Sequence, residues 1–202
     1  HASLMLDFHD TIIHIDPVAK MANYSALPKA DLILITHDHS DHLDPETIKA
    51  ISKEGTQLIM TAPCADKLAG GTVLGNGQDV SVADINILAV PAYNLVHKRE
   101  TGEPFHSKGK DNGYLLTLGG KRVYVAGDTE NIPEMKGLID IDIAFLPMNL
   151  PYTMTPEMVA DAALCFKPKV LYPYHFGDTD PAELAEIMKD FPGTEVRIRE
   201  MP

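Results

Sequence analysis

Long hydrophobic runs are missing from this chain of 202 residues. None approaches the ~20 apolar residues that a bilayer-spanning helix needs, and no secretory leader pattern is present. The opening "HASLML" already reads as the inside of a strand, so some native N-terminal residues are expected to precede it. Cysteine is scarce: Cys64 and Cys165 are the only two, far apart and without a CxxC pair. That excludes a disulfide scaffold and points to buried thiols in a reducing, cytoplasmic compartment. Positive charge is in deficit, with 17 Lys+Arg against 29 Asp+Glu and a net charge of -12. Such a surface repels phosphate backbones, so nucleic acid is a poor partner, although bound divalent cations would cancel part of the charge. No GxSxG elbow offers a serine nucleophile. No linker, low-complexity stretch or internal repeat divides the chain, so residues 1–202 are expected to form one domain.

What is present alternates between strands and helices. Residues 3–8 and 11–15 predict two strands around a turn at Asp10. "DLILIT" at 31–36 is a continuous apolar run, the pattern of a strand buried on both faces. "DPETIKAIS" predicts a helix capped by Asp44, with Pro45 at its first position. A strand at 57–61, a short helix near 63–69 and short strands through 71–90 follow. "GYLLTLGGKRVYVAGDT" predicts a hairpin turning at Gly119-Gly120. Further strands are expected at 140–147, 169–175 and in "EVRIRE", with a short helix near 133–137 and helices at 155–166 and in "PAELAEIMKDF". Hairpins mixed with strand–helix units favour two packed sheets with helices outside.

The chemistry gathers where buried strands end. In "THDHSDHLD" His37 and His39 lie two residues apart, so an extended chain aims both imidazoles at one point. The turn that follows can bring Asp41 and His42 to a second point nearby. Imidazole and carboxylate are the donors that Zn, Fe or Mn take. Asp128 in "VYVAGDT" follows another strand, where a carboxylate can bridge two metals. His175 in "VLYPYH" and Asn94 in "VPAYN" end two more. The aperiodic stretch 94–112 reads as a long functional loop carrying His97 and His106, together with Lys98, Arg99, Lys108 and Lys110. His106, Asn94 and Tyr152 are candidate substrate contacts. His1, His9 and His14 read as non-ligands.

Taken together, "THDHSDHLD", "VPAYN", "AGDT" and "PYH", in that order and over nearly the whole chain, resemble the metallo-β-lactamase fold superfamily. Within it, the chain is similar to the lactonase-like and phospholipase D-like metal-dependent hydrolases, the group that includes ascorbate 6-phosphate lactonase. The resemblance implies an α/β fold, the four-layer αβ/βα sandwich, with two divalent metals at one edge. It implies His37 and His39 on the first metal, Asp41, His42 and His175 on the second, and Asp128 between them. The family's third first-site histidine falls at Asn94. Three possibilities stay open: Asn94 binds through its amide oxygen, with a tilt toward Mn or Fe; His106, favoured over His97, swings in; or the first site is partly filled or empty.

The implied activity is hydrolysis by a metal-activated water, Zn being the first expectation and Mn or Fe the alternatives. Asp41 and Asp128 are the candidate catalytic residues, Asp41 as acceptor or relay of the water's proton. The substrate is expected to be a small ester, lactone or phosphodiester, anionic if the basic loop takes part. A second copy of the chain is the other partner admitted. A nuclease of the same fold and a non-catalytic metal-binding domain are the competing readings. Because ligand imidazoles must be neutral, activity is expected to fall below about pH 6.

Overall fold

A tight hairpin opens the first sheet. In the computed structural model, which describes residues 1–201, strands β1 (Leu4–Phe8) and β2 (Thr11–Ile15) pair antiparallel from Leu4↔Ile15 to Phe8↔Thr11. Both turn residues, His9 and Asp10, take positive φ (48° and 65°), the geometry that matches the twist of a two-residue hairpin. β3 (Leu32–Leu34) and β4 (Gln57–Met60) add in parallel, and β5 (Thr72–Val73) closes the order β1-β2-β3-β4-β5.

The apolar run around β3 is buried on both faces, and its alternation sorts the side chains. Leu32 and Leu34 join the core between the sheets, while Ile33 and Ile35 face α1 (Pro45–Ile51) and the one-turn α2 (Ala62–Ala65). Each fully buried Leu or Ile contributes about 1.5–3 kcal/mol. The strand is shorter than "DLILIT" predicts. Beyond Ile35 the backbone leaves the ladder: Thr36 N donates to Asp16 Oδ1, and Thr36 O accepts from Asn112 N in the other sheet. Asp44 caps α1 by accepting from Thr47 N, as its sequence predicts.

The second sheet has the order β12-β11-β10-β9-β8-β7-β6. Its strands are β6 (Asp79–Val82), β7 (Ile85–Ala92), β8 (Asp111–Leu118), β9 (Lys121–Val125), β10 (Ile143–Pro147), β11 (Val170–Tyr174) and β12 (Glu195–Val196). β6 to β9 run antiparallel and β9 to β12 parallel. α3 (Pro156–Phe166), capped by Thr155, and α4 (Pro181–Met188) cover the outer face. The stretch at 133–137 is a 3-10 turn. Three apolar cores therefore separate four layers: helices, sheet, sheet, helices. This is the αβ/βα sandwich. Cys64 is buried, but Cys165 lies on the exposed side of α3, contrary to expectation.

The parallel run of β9, β10 and β11 puts their C-terminal ends at one edge. The two sheets are clamped there by Tyr114 Oη donating to Ile35 O at 2.8 Å. Gly127 sits at the same clamp with φ 65°. A Cβ at that position would meet Asn112 O at 2.6 Å and Thr36 Cβ at 3.2 Å, so only glycine fits. No helix among the described residues is long and apolar enough to cross a membrane.

Candidate metal centre

The loop leaving β3 is braced from behind by Asp16, at the end of β2. Asp16 Oδ2 accepts from Thr36 Oγ1 at 2.6 Å and from His42 Nδ1 at 2.8 Å. Thr36 Oγ1 in turn lies 3.0 Å from His37 Nδ1. These bonds put the protons of His37 and His42 on Nδ1 and turn both Nε2 lone pairs inward. A third imidazole is fixed the same way. Asn94 Oδ1 accepts from His106 N at 2.8 Å and from His106 Nδ1 at 2.9 Å, which leaves His106 Nε2 facing the others. Orienting a ligand imidazole through its far nitrogen is the usual outer support of a metal site.

Around these nitrogens the edge of the sandwich converges. Donor atoms of His37, His39 and His106 lie within 4.8 Å of one another, as do those of His37, His42 and Asp128, and those of His1, Asp41, His42 and His175. Asp128 Oδ2 is the hub, at 3.5 Å from His106 Nε2 and His175 Nε2, 3.6 Å from His42 Nε2 and 4.0 Å from His37 Nε2. His175 holds its place with φ 45°, a backbone conformation unusual outside glycine and typical of functional sites.

The residues fit divalent cations. His106 Nε2 and Asp128 Oδ1 are buried without any hydrogen-bond partner, which is rare for buried polar atoms. His42 Nε2 and His175 Nε2 face each other at 3.3 Å, and His37 Nε2 faces His39 Nδ1 at 3.1 Å. Inward lone pairs at such separations need a cation or a proton between them. Five imidazoles and two carboxylates make a donor set suited to Zn, Fe or Mn rather than Mg or Ca.

Electrostatics divides the cluster in two. Burial holds His37 well below the ordinary histidine value, lowers His39, and pushes His106 down to about 4. Burial opposes charge on His42 as well, but the carboxylates of Asp128 and Asp16 outweigh it and hold His42 well above that value. Asp128 mirrors this: burial raises its carboxyl, and His42 and His175 more than compensate, holding it well below the usual carboxylate range. Without metal, His42 therefore carries a proton where the His37/His39/His106 group does not. Beside the expected fall of activity below about pH 6, metal uptake is expected to show two behaviours. A cation entering beside His42 must displace a proton, so its affinity is expected to rise about tenfold per pH unit below the His42 pKa. Uptake at His37, His39 and His106 is expected to vary much less between pH 5.5 and 7.5. Calorimetric metal titrations in buffers of different ionisation enthalpy count the released protons; equal release at both positions would refute the division.

The sequence-predicted residues divide accordingly. His37, His39, Asp41, His42, Asp128 and His175 are all drawn into the cluster, with Asp41 at its mouth, its side chain 47% exposed. His106 joins them. Asn94 does not: it is buried, its oxygen bound to His106 and its Nδ2 donating to Glu130 Oε1 and Tyr152 O. His97 is turned away onto Glu130 at 2.8 Å. Tyr152 stands at the rim of a cavity of about 390 Å³ above the cluster, edge-on to Phe105. Three participants escaped the sequence reading. Asp16 is one, and Glu130, two residues past Asp128, is another. The third is His1, read from the sequence as a non-ligand: its Nε2 lies 3.4 Å from Asp41 Oδ2, its ring packs on His175, and it falls in one donor group with Asp41, His42 and His175. No local pattern marks them, apart from the position of each beside a strand end or a ligand.

A sequence profile of the beta-lactamase superfamily domain matches residues 1–175. A metal-dependent hydrolase of Thermococcus onnurineus is 32% identical over 176 residues, covering 80% of this chain and 76% of that protein. One from Symbiobacterium thermophilum is 35% identical over 178 residues, covering 83% and 73%. A crystal structure from Parabacteroides distasonis, assigned as a metal-dependent hydrolase, matches all of this chain and 90% of its own, with a TM-score of 0.95 and 53% identity.

Proposed function

Because the chain belongs to the beta-lactamase superfamily and is a metal-dependent hydrolase, we propose that it cleaves a small ester, lactone or phosphodiester at a dinuclear centre. His37, His39 and His106 would hold one cation, Asp41, His42 and His175 the other, with Asp128 between. Zn is the first choice for this donor set, Mn or Fe the alternatives. The observation that carries the reading is the single oxygen Asp128 Oδ2 within 4.0 Å of four imidazole nitrogens, beside two orphaned buried donor atoms. Cations bound there supply Lewis acidity and lower the pKa of water toward neutrality.

The chain's own residues supply the rest. Asp16, Thr36 and Asn94 keep three imidazoles aimed inward, so no reorganisation is needed during turnover. Asp41, the exposed carboxylate of the group, is placed to take the proton of the attacking water and pass it to solvent or to the leaving oxygen. Atoms balance as in any hydrolysis: water oxygen bonds to carbon or phosphorus, and the bond to the leaving oxygen breaks. The free thiols Cys64 and Cys165 suit a reducing, cytoplasmic setting.

The test is a chelated protein, reloaded with Zn, Mn or Fe, assayed on bis(p-nitrophenyl) phosphate and a lactone panel while bound metal is counted. Turnover is expected only after reloading, at two ions per chain. Two bound ions with no turnover on any substrate would favour the non-catalytic metal-binding reading instead.

A further inference from the structure

Four cations lie in the loop between β7 and β8, and tertiary structure separates them. Lys108 is spent on Glu134 at 2.7 Å and on the ring of Tyr93 at 4.7 Å. Among the described residues, Arg99 is the one cation lining the cavity above the cluster. Its backbone is fixed by Arg99 N donating to Glu103 O and Gly102 N donating to Arg99 O, both at 2.8 Å, and by the Lys98↔Pro104 bridge. Its guanidinium lies 5.0 Å over the ring of Phe105, and Nη2 reaches Phe105 O at 3.4 Å. It enters no ion pair among the described residues, in a protein of net charge -12.

Phe105 continues the wall. Its ring meets that of Tyr152 edge-to-face, centroids 5.0 Å apart. Tyr152 is tied through its carbonyl to Asn94, and so to the bracket that orients His106. One side of the cavity is thus a guanidinium followed by two aromatic rings. The same cavity is lined by His39, Asp41, His106, Asp128 and His175 of the cluster.

Resting on the hydrolase reading above, we propose that Arg99 is a specificity-determining residue. It takes an anionic group, carboxylate or phosphate, at the end of the substrate remote from the scissile bond. Phe105 and Tyr152 hold the apolar or planar portion between. A planar fork of donors stacked on an aromatic ring is pre-organised for a two-oxygen anion. The cavity, about 390 Å³, suits a small molecule rather than a polymer.

The experiment compares matched p-nitrophenyl esters whose far end is neutral (butyrate), a carboxylate (glutarate) or a phosphonate. In the metal-loaded protein the anionic esters are expected to react with the higher kcat/KM, and the better of the two identifies the anion. Arg99→Ala is expected to cut kcat/KM for anionic esters about 10–100-fold more than for the neutral one, chiefly through KM. Arg99→Lys, which keeps the charge without the fork, is expected to restore part of it. Calorimetry of glutaramate, the monoamide with a far-end carboxylate, against butyramide, which has none, repeats the comparison without turnover. If no ester is hydrolysed, the ester branch of the proposed function fails while these affinities still decide the role of Arg99. Equal preference in wild type and Arg99→Ala, in rate or in binding, would overturn the proposal.

Discussion

Asp128→Asn is expected to lower kcat/KM by about 1000-fold, some 4 kcal/mol of transition-state stabilisation. It is also expected to reduce bound metal below two ions per chain. The reason is geometric. Asp128 Oδ2 is the oxygen shared by His37, His42, His106 and His175, at 3.5–4.0 Å from each. It also supplies much of the negative charge that holds His42 protonated without metal and would hold a cation in its place. An amide keeps the shape and removes the charge, so the loss reports charge rather than packing. Steady-state kinetics together with metal counting by mass spectrometry checks it. A variant that kept two ions and wild-type rates would remove Asp128 from the centre.

Glu130→Ala is expected to destabilise the fold by about 3–5 kcal/mol, the usual penalty for breaking a buried charged network. That corresponds to a fall in Tm of about 6–20 °C for a domain of this size. Glu130 is fully buried. Its two oxygens accept from Leu95 N (2.6 Å), Val96 N (2.7 Å), His97 N (2.7 Å), His97 Nδ1 (2.8 Å) and Asn94 Nδ2 (3.1 Å). Alanine leaves those part-buried donors without their common acceptor. Burial raises the Glu130 carboxyl, but the N–H groups of His97 and Val96 lead a set of bonds that outweighs it and holds its pKa below the usual value. A depressed folded pKa contributes stability above about pH 4.5, lost as pH falls through the folded value. The gap between wild type and variant is therefore expected to narrow in acid, as thermal melts at pH 7 and pH 4 would show. Because Asn94 is released, metal affinity at His106 is expected to fall about 10–100-fold as well. A variant melting within a degree of wild type would contradict this account.

The order of strands and helices, the caps Asp44 and Thr155, and the burial of "DLILI" on both faces are legible in the chain, because each rests on local chemistry. Periodicity, capping oxygens and turn residues act within a few positions of themselves. The same holds for "HDHSDH", whose histidines two apart on an extended segment must share a direction, and for Asp128 and His175, each mounted at the end of a strand.

Completion of the centre is another matter. Nothing within reach of Asn94 along the chain shows that its oxygen goes to His106, that Glu130 folds over it, or that Arg99 alone among four cations faces the cavity. Those pairings arise across the loop between β7 and β8, which has no period to read. Asp16 meets His42 across 26 residues, and His42 meets His175 across 133. Such distances are closed only when the two sheets pack and Gly127 lets their edges touch. The sequence by itself determined which residue types were available and which strand ends would carry them. The packing of sheet on sheet decided which imidazole completes the cluster, which carboxylates stand behind it and which cation looks in, because side-chain pairing across a fold follows from three-dimensional proximity and not from spacing along the chain.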